Sequence, residues 1–438
     1  MSTETEIDSQ HFTEAVVKLG NSRPVVASQP IFNAQGIKIV EGGTPINGDL
    51  YERLVAHHLQ SPIEHSLTTE GAVTGRSLRT SMEEMLARHP FYARMATPVE
   101  RVTRLDILDK LPLPGPVAFQ LTLAREMHPD QYDHALRSAW TMMWMVSGPT
   151  NLRFDVGMAA VTGLVHDIAM LHLDPVLLDP TVQLSRDQRR QLYSHPIIGA
   201  RLLERHHEYP KEVARAVLEH HECENGSGYP RSLISPQIST LGRAMALTEM
   251  VTAMVGGSHP GGELRLSVLL RMNMHRFDRA LISRVMGLLR PEQDPGSHEI
   301  NLLEQPTRSL RDIDAALQDW PSNLALQPDL APERQAGMAI VANQIGQLQR
   351  SLAEAGLAPE QLDQLGDSGD DPLLPRELSL LASEAAWQLR TLARQTRRRW
   401  RGGPDGSYAP ELQQWLDRCE ALCAQVLATM APHDLSDD

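Results

Sequence analysis

The chain of 438 residues is too long for one compact core, so two or three domains are expected. Its apolar and charged fractions, 41% and 22%, are those of a soluble globular protein and exclude wholesale disorder. A net charge of −14 excludes a general nucleic-acid-coating role, but a bound metal reverses the local field and leaves a single phosphate-binding pocket open.

Aromatic residues are scarce, at 4%, whereas Leu, Ala, Met, Gln, Glu and Arg are plentiful. These residues favour helices and supply few rings for sheet packing, so the expected class is mainly α. Three cysteines, none in CxxC spacing, cannot build a disulfide framework; Cys419 and Cys423 lie four apart in a helical pattern, as neighbours in a reducing compartment. The opening MSTETEIDSQ is polar and acidic without an apolar signal core, and no run of about 18 apolar residues occurs. A cytoplasmic protein with no membrane span is expected.

In chain order, residues 1–20 read as a loose leader. From Pro24 to about Glu70 the sequence predicts a small α+β cap: VVASQPIF and IKIVEGG are short strands about an Asn33–Gly36 turn, and DLYERLVAHHL has helical spacing. Residues 75–115 read as helical and end in the linker-like KLPLPGP. From about 117 to 290, helical patterns follow one another across short joins: FQLTLAREM, HALRSAWTMMWMV, GMAAVTGLVHDIAML, HPIIGARLLERHH and VARAVLEHH. Beyond Pro291 come polar joins and further helices, with GDSGDDP (366–372) as a loop or joint. Arg390, Arg394, Arg397, Arg398, Arg399 and Arg401, beside Trp400, suit a solvated cationic helix end, with an acidic partner or nucleic acid as the alternative. In the last helix Leu412, Trp415, Leu416, Leu422 and Val426 form an apolar stripe that fits a core, a homodimer bundle or a protein-docking face. No internal repeat is found. The expected parts are 1–115, an N-terminal α+β cap and helical linker; 116–290, the histidine-bearing domain; and 291–438, a C-terminal helical region.

Five histidine positions stand out among the 18 histidines. His134 opens a helix pattern, His166-Asp167 sits near the end of the next, His195-Pro196 starts another, and His220-His221 ends a third. Each lies near a helix terminus, where polar side chains can converge. Any one alone reads as a surface or capping histidine. Together the surface reading weakens, because Val165, Ile168 and Ala169 make His166-Asp167 an ionisable pair in an apolar helix, which needs partners or a metal. Imidazole and carboxylate donors without thiolate suit Fe, Mn, Co or Zn in a catalytic setting. Adjacent helical residues point about 100° apart, so such neighbours do not chelate one ion as an i,i+4 pair does. They suit a site in which an aspartate bridges two metals, the arrangement used for phosphoester displacement. Directly after His220-His221, the stretch Glu222-Cys223-Glu224-Asn225-Gly226-Ser227-Gly228-Tyr229-Pro230 forms a tight loop on the substrate side of these histidines.

Over roughly residues 117–265 this pattern resembles the HD-GYP branch of the HD-domain phosphohydrolases: a lone His, an HD pair, an HP-x-x-G segment (His195 to Gly199), then HHE and a GSGYP-type loop, in the family's order and spacing. The resemblance implies an HD-type helical bundle as the catalytic core. It implies hydrolysis of the bacterial second messenger cyclic di-GMP to pGpG or GMP with two divalent metals, Fe or Mn, and a regulatory cap. It implies metal ligation by His134, His166, Asp167, His195, His220 and His221, with His166 and Asp167 catalytic and Asp167 bridging. The last family ligand is an Asp, and its position here is Glu249, one methylene longer. Asp130, one helical turn before His134, stands where trinuclear members carry a Glu and is the only support for a third metal. Asn225, Gly226, Ser227, Gly228, Tyr229 and Pro230 would shape the pocket around a guanine or ribose, and Glu222 would orient ligating imidazoles.

Three positions depart from the family. Met170 replaces the lysine of HDxGK, Gly257–Gly261 replaces an R-x-Y-K cluster that grips substrate, and Asn225 replaces the loop's aspartate. Loss of a cationic phosphate contact weakens transition-state stabilisation. Two readings therefore stand: a cyclic di-GMP phosphodiesterase, or a metal-containing but catalytically weak module for nucleotide sensing or protein interaction. Hydrolysis of another phosphoester is a third.

Overall fold

The computed structural model describes residues 10–55, 59–61, 63–148, 152–179, 181–206, 209–256, 261–290, 303–321, 332–359, 361–362, 373–399 and 410–430. The expected leader over 1–9, the segment 257–260, the 366–372 joint, Trp400 and Arg401 lie outside the described residues. The fold is mainly α. It divides into two compact units, one of residues 1–258 with 275–288 and the other of 259–274 with 289–438.

The first unit begins with a correction. Residues 10–20 are not a loose leader but most of helix α1 (Gln10–Ser22), because Phe12, Val16 and Leu19 fall on one face and are buried. Strands β2 (Ile31–Phe32) and β3 (Lys38–Val40) form the expected hairpin, whose turn is held by Asn33 Oδ1 accepting from the N–H groups of Gln35 and Ile37. Strand β1 (Val25–Ala27) instead pairs antiparallel with β4 (Leu67–Thr69), across helix α2 (Gly48–Val55). Helices α3 (Gly75–Arg88), α4 (Pro90–Ala93) and α5 (Pro98–Asp109) follow, and α3 and α5 each start with a capping box. The KLPLPGP stretch lies inside this unit, where Leu111 is buried.

Helices α6 (Gly115–Met127), α7 (Pro129–Val146), α8 (Arg153–Val165), α9 (Arg186–Leu192), α10 (His195–His206), α11 (Lys211–Glu219), α12 (Thr240–Val255) and α14 (Arg279–Met286) complete the unit. α7 begins at Pro129, so His134 lies in its second turn rather than at its start. The segment Arg153–His172 has a mean hydropathy of 1.4 and passes a membrane-span test by composition, but 72% of that window is buried inside the fold, as a core helix would be. α7 and α8 pack together most tightly at Gly163, where a Cβ would lie 2.5 Å from the backbone nitrogen of Ala139. Only glycine permits that approach, and it brings His134 and His166 to the same end of the bundle. α10 also packs closely at Gly199, where a Cβ would stand 3.1 Å from Val217 Cγ1 and 3.5 Å from the His166 carbonyl.

The second unit contains α13 (Gly262–Met272), α15 (Glu304–Gln318), α16 (Pro332–Glu354), α17 (Leu374–Arg399) and α18 (Pro410–Met430). Leu412, Trp415, Leu416 and Val426 are buried in its core and Leu422 packs against it, so the stripe of the last helix is spent on packing within the chain. Trp415 Nε1 donates to the Ala316 carbonyl at 2.8 Å, and its ring meets Trp320 edge-on. Of the arginine run, Arg397 pairs with Asp417 and Glu420.

The Gly163 contact is against backbone, which cannot swing away. Gly163→Val is expected to cost about 3 kcal/mol through overpacking. Urea unfolding checks this as a lower midpoint at unchanged slope, and an unchanged midpoint would show that α7 and α8 can part at no cost.

Candidate metal centre

Five helices deliver the seven expected ligands to one place. His134 comes from α7, His166 and Asp167 from the end of α8, His195 from the first residue of α10, His220 and His221 from the end of α11, and Glu249 from α12. Their ligand atoms fall into two adjoining groups, His134, His166, Asp167 and Glu249 in one, and His195, His220 and His221 in the other. Within the first, His166 Nε2 lies 3.1 Å from His134 Nε2, 3.2 Å from Asp167 Oδ2 and 3.2 Å from Glu249 Oε2. Within the second, His195 Nε2 lies 2.9 Å from His220 Nε2 and 3.1 Å from His221 Nε2. Asp167 faces both. Its Oδ2 points to His134 and His166, while its Oδ1 lies 3.4 Å from His195 Nε2 and 3.6 Å from His220 Nε2.

The helix ends explain the ring orientations. Three histidines place Nδ1 against the carbonyl three residues back: His166 on Gly163 at 2.9 Å, His195 on Leu192 at 2.7 Å, and His220 on Val217 at 2.6 Å. A carbonyl oxygen only accepts, so each ring carries a proton on Nδ1. At the ends of α8, α9 and α11 those carbonyls lack helical partners, and the rings use them. The Nε2 atoms then turn inward.

Electrostatics fit a cation. Burial pushes His195 down to about 4, against the opposing pull of Asp167. Burial, with His220 alongside, also lowers His221 well below the usual imidazole range. These rings stay neutral and offer lone pairs. Burial alone would raise Asp167 and Glu249, yet the imidazoles beside them hold both carboxyls well below their usual range. His166 is the counterpart: burial pulls it down, but Asp167 and Glu249 raise it well above 6.5, so positive charge is favoured at its Nε2. Asp167 Oδ1 and Glu249 Oε2 are buried oxygens that make no well-formed hydrogen bond and are faced by imidazole Nε2 atoms at 3.2–3.6 Å. An anionic oxygen in that state needs a cation, and the donors present suit a divalent metal.

The GSGYP loop folds back on this centre. Tyr229 donates its N–H to the His221 carbonyl at 3.1 Å and stacks its ring on His221, centroids 4.6 Å apart at 18°. Gly228 permits this, because a Cβ there would lie 2.4 Å from both Cys223 N and His221 O. Gly226 adopts φ +77°, and Asn225 spends its Oδ1 on the N–H and hydroxyl of Ser227. The Tyr229-Pro230 peptide is cis.

Two expectations are corrected. Glu222 does not orient an imidazole: its two carboxylate oxygens accept the backbone N–H groups of Arg231 and Leu233, at 2.7 and 2.8 Å. Helix-end carbonyls fill the orienting role. Asp130, in the first turn of α7, is exposed and belongs to neither ligand group, so among the described residues nothing adds a third cluster. Sequence reasoning also missed Glu219. Fully buried, it accepts from Arg215, Arg231, and the backbone and hydroxyl of Ser239, tying the end of α11 to the start of α12. Its position directly before the His pair was the available signal.

Residues 141–281 match the HD domain family profile, a span that holds every expected ligand except His134. This segment is an HD domain of the HD-GYP-like kind. HD domains bind divalent metals, and this one holds the groups to do so. The chain is 29% identical over 167 residues to the cyclic di-GMP phosphodiesterase PA4108 of Pseudomonas aeruginosa, covering 37% of this chain and 40% of that protein. It is 30% identical over 138 residues to a cyclic di-GMP phosphodiesterase of Vibrio cholerae, covering 28% of this chain and 27% of that one. The chain thus spans less than half the length of either relative. No solved structure gives a significant match.

Glu222 holds the loop of the HD domain by two charge-assisted bonds. Glu222→Ala strands both N–H groups and is expected to cost about 1–3 kcal/mol. Thermal unfolding measures the loss, and limited proteolysis should cut first between Asn225 and Ile234.

Proposed function

We propose that the HD domain makes this chain a metal-dependent phosphodiesterase that hydrolyses cyclic di-GMP to pGpG or GMP. The observation that carries the reading is Asp167, with one carboxylate oxygen on each side of a two-part histidine cluster. His134, His166 and Glu249 would hold one divalent ion and His195, His220 and His221 another, with Asp167 available to both groups; Fe or Mn would suit this donor set. When bound, such ions supply Lewis acidity and the ionisation of water near neutral pH. The protein's own part is placement. Helix-end carbonyls fix the rings, His166, His195 and His220 close the floor, and the GSGYP loop folds Tyr229 over His221. Glu249 carries one methylene more than the family's aspartate, yet its Oε2 stands within 3.4 Å of His134 and 3.2 Å of His166.

Met170 favours the second reading. Half-buried three residues after Asp167, it offers no cation to a phosphate oxygen. A weakly catalytic nucleotide-binding module is the form the protein takes if that loss dominates.

Purified full-length protein, with Mn²⁺ or with Fe²⁺ kept anaerobic, should convert cyclic di-GMP to pGpG or GMP. His166→Ala and Asp167→Ala should abolish the product; binding without turnover under both metals would sink the hydrolase and leave the sensor. Metal analysis separates the ligand roles: Asp167→Ala should empty both positions, His221→Ala only one. Equal losses from the two variants would contradict the bridging assignment.

Met170→Lys returns a cation beside the HD pair. Steady-state assays should show turnover rising about tenfold or more, a gain of roughly 1.4 kcal/mol in transition-state stabilisation. Unchanged kcat would mean that the cationic contact comes from elsewhere.

A further inference from the structure

Tyr193 lies between α9 and α10, two residues before His195, and the fold leaves 46% of its surface exposed. Its ring rests on Tyr229, with centroids 4.7 Å apart at 32°, and Tyr229 rests on His221. The three rings form one ladder from an imidazole of the metal centre to solvent. Its inner rung is anchored, since Tyr229 N–H donates to the His221 carbonyl and Gly228 lets the loop backbone lie against Cys223 and His221. A lone exposed aromatic would mean little. This one is different because its buried side leans on a ring already stacked on an expected ligand, so its open side extends the site outward.

The charge around it has the sign a nucleotide needs. Arg189 and Arg190 precede Tyr193 by four and three positions along α9, on neighbouring faces, and both are exposed, as is Arg186 one turn earlier. This is an Arg/Tyr face at the mouth of a centre whose own carboxylates attract cations and repel phosphate.

We propose that Tyr193 is a stacking platform for a purine base of the substrate, an inference that rests on the nucleotide reading above. In a cyclic dinucleotide it takes the base distal to the scissile bond, two rungs out from His221, while the α9 arginines lie beside the second phosphate. Base–aromatic stacking tolerates any base, so the residue sets affinity for nucleotides over simple phosphodiesters rather than guanine over adenine. Tyr193 has no contact with the reacting atoms and is a binding residue only.

The test is titration calorimetry of full-length Tyr193→Leu, Tyr193→Phe and Tyr193→Trp with cyclic di-GMP, cyclic di-AMP and GMP, with metal content measured on each preparation. Tyr193→Leu should weaken cyclic di-GMP binding by about tenfold to a hundredfold. Metal content should stay at the wild-type level, and Tyr193→Phe and Tyr193→Trp should bind like wild type. Equal affinity for wild type and Tyr193→Leu overturns the stacking role and leaves the phosphodiesterase reading standing. Weakening by all three variants, or loss of metal in Tyr193→Leu, shows a packing role and also overturns it. Tyr193-dependent binding of cyclic di-AMP or GMP but not cyclic di-GMP supports the platform and overturns the proposed substrate; no binding of any of the three overturns both.

Discussion

Three unpaired carbonyls at helix ends set the chemistry of this protein. Each takes the Nδ1–H of a histidine three residues on, at His166, His195 and His220, and so fixes which ring nitrogen keeps a lone pair. The Nε2 atoms then converge at hydrogen-bonding distance, neutral at His195 and His221, and two carboxylates add negative charge that favours a positive charge at His166. Such a cluster is repulsive unless a cation occupies it. The rest of the bundle serves this convergence. Gly163 removes the side chain that would hold α7 and α8 apart, and at Gly199 α10 runs close to the end of α8 and to Val217.

Burial varies across the centre in a way that gives it a direction. His166, His195 and His220 are almost completely buried, whereas the side chains of His134, Asp167 and Glu249 keep 20%, 25% and 23% of their surface open. The three buried rings are therefore a floor, and the open groups face the side from which a phosphoester can approach. Glu249 belongs to the open side. There its longer side chain can change its bend without disturbing packed neighbours, which explains how the carboxylate reaches His134 and His166 despite the extra methylene.

The sequence exposed the ligands better than it exposed what supports them. His166, Asp167, His195, His220 and His221 could be read because each is an ionisable residue at the edge of an apolar helical pattern, a combination that packing alone does not favour. Glu249, inside α12, was reached only through the family resemblance. The helical class followed from composition. The pairing of β1 with β4 was illegible because it joins strands separated by a helix, with no turn signal between them. Helix α1 was legible but was missed: Phe12, Val16 and Leu19 have helical spacing, and the polar first residues concealed it. The orienting groups were hidden for a deeper reason. They are backbone carbonyls, present at every position, and only the places where helices end select three of them. Glu222 drew attention because it is a carboxylate beside two histidines, and the structure spends it on the loop instead.

That misplacement points to the design of Glu219-His220-His221-Glu222. Two adjacent histidines point at the metal centre, and the glutamates on either side point away from it. Glu222 holds Arg231 and Leu233, closing the loop that carries Tyr229; Glu219 holds the Arg231 side chain and Ser239, the N-cap of α12. Helix α12 then returns Glu249 to the same centre. A closed circuit results, running from the histidine pair through a buried carboxylate to the helix that bears the last ligand. Gly242 belongs to it, because a Cβ at that position would lie 2.5 Å from Glu219 Oε2. A ligand set drawn from five helices would otherwise depend on five independent packings. This circuit couples two of them by charge-assisted hydrogen bonds, stronger and more directional than apolar contact, so that α11 and α12 hold their ligands as one unit.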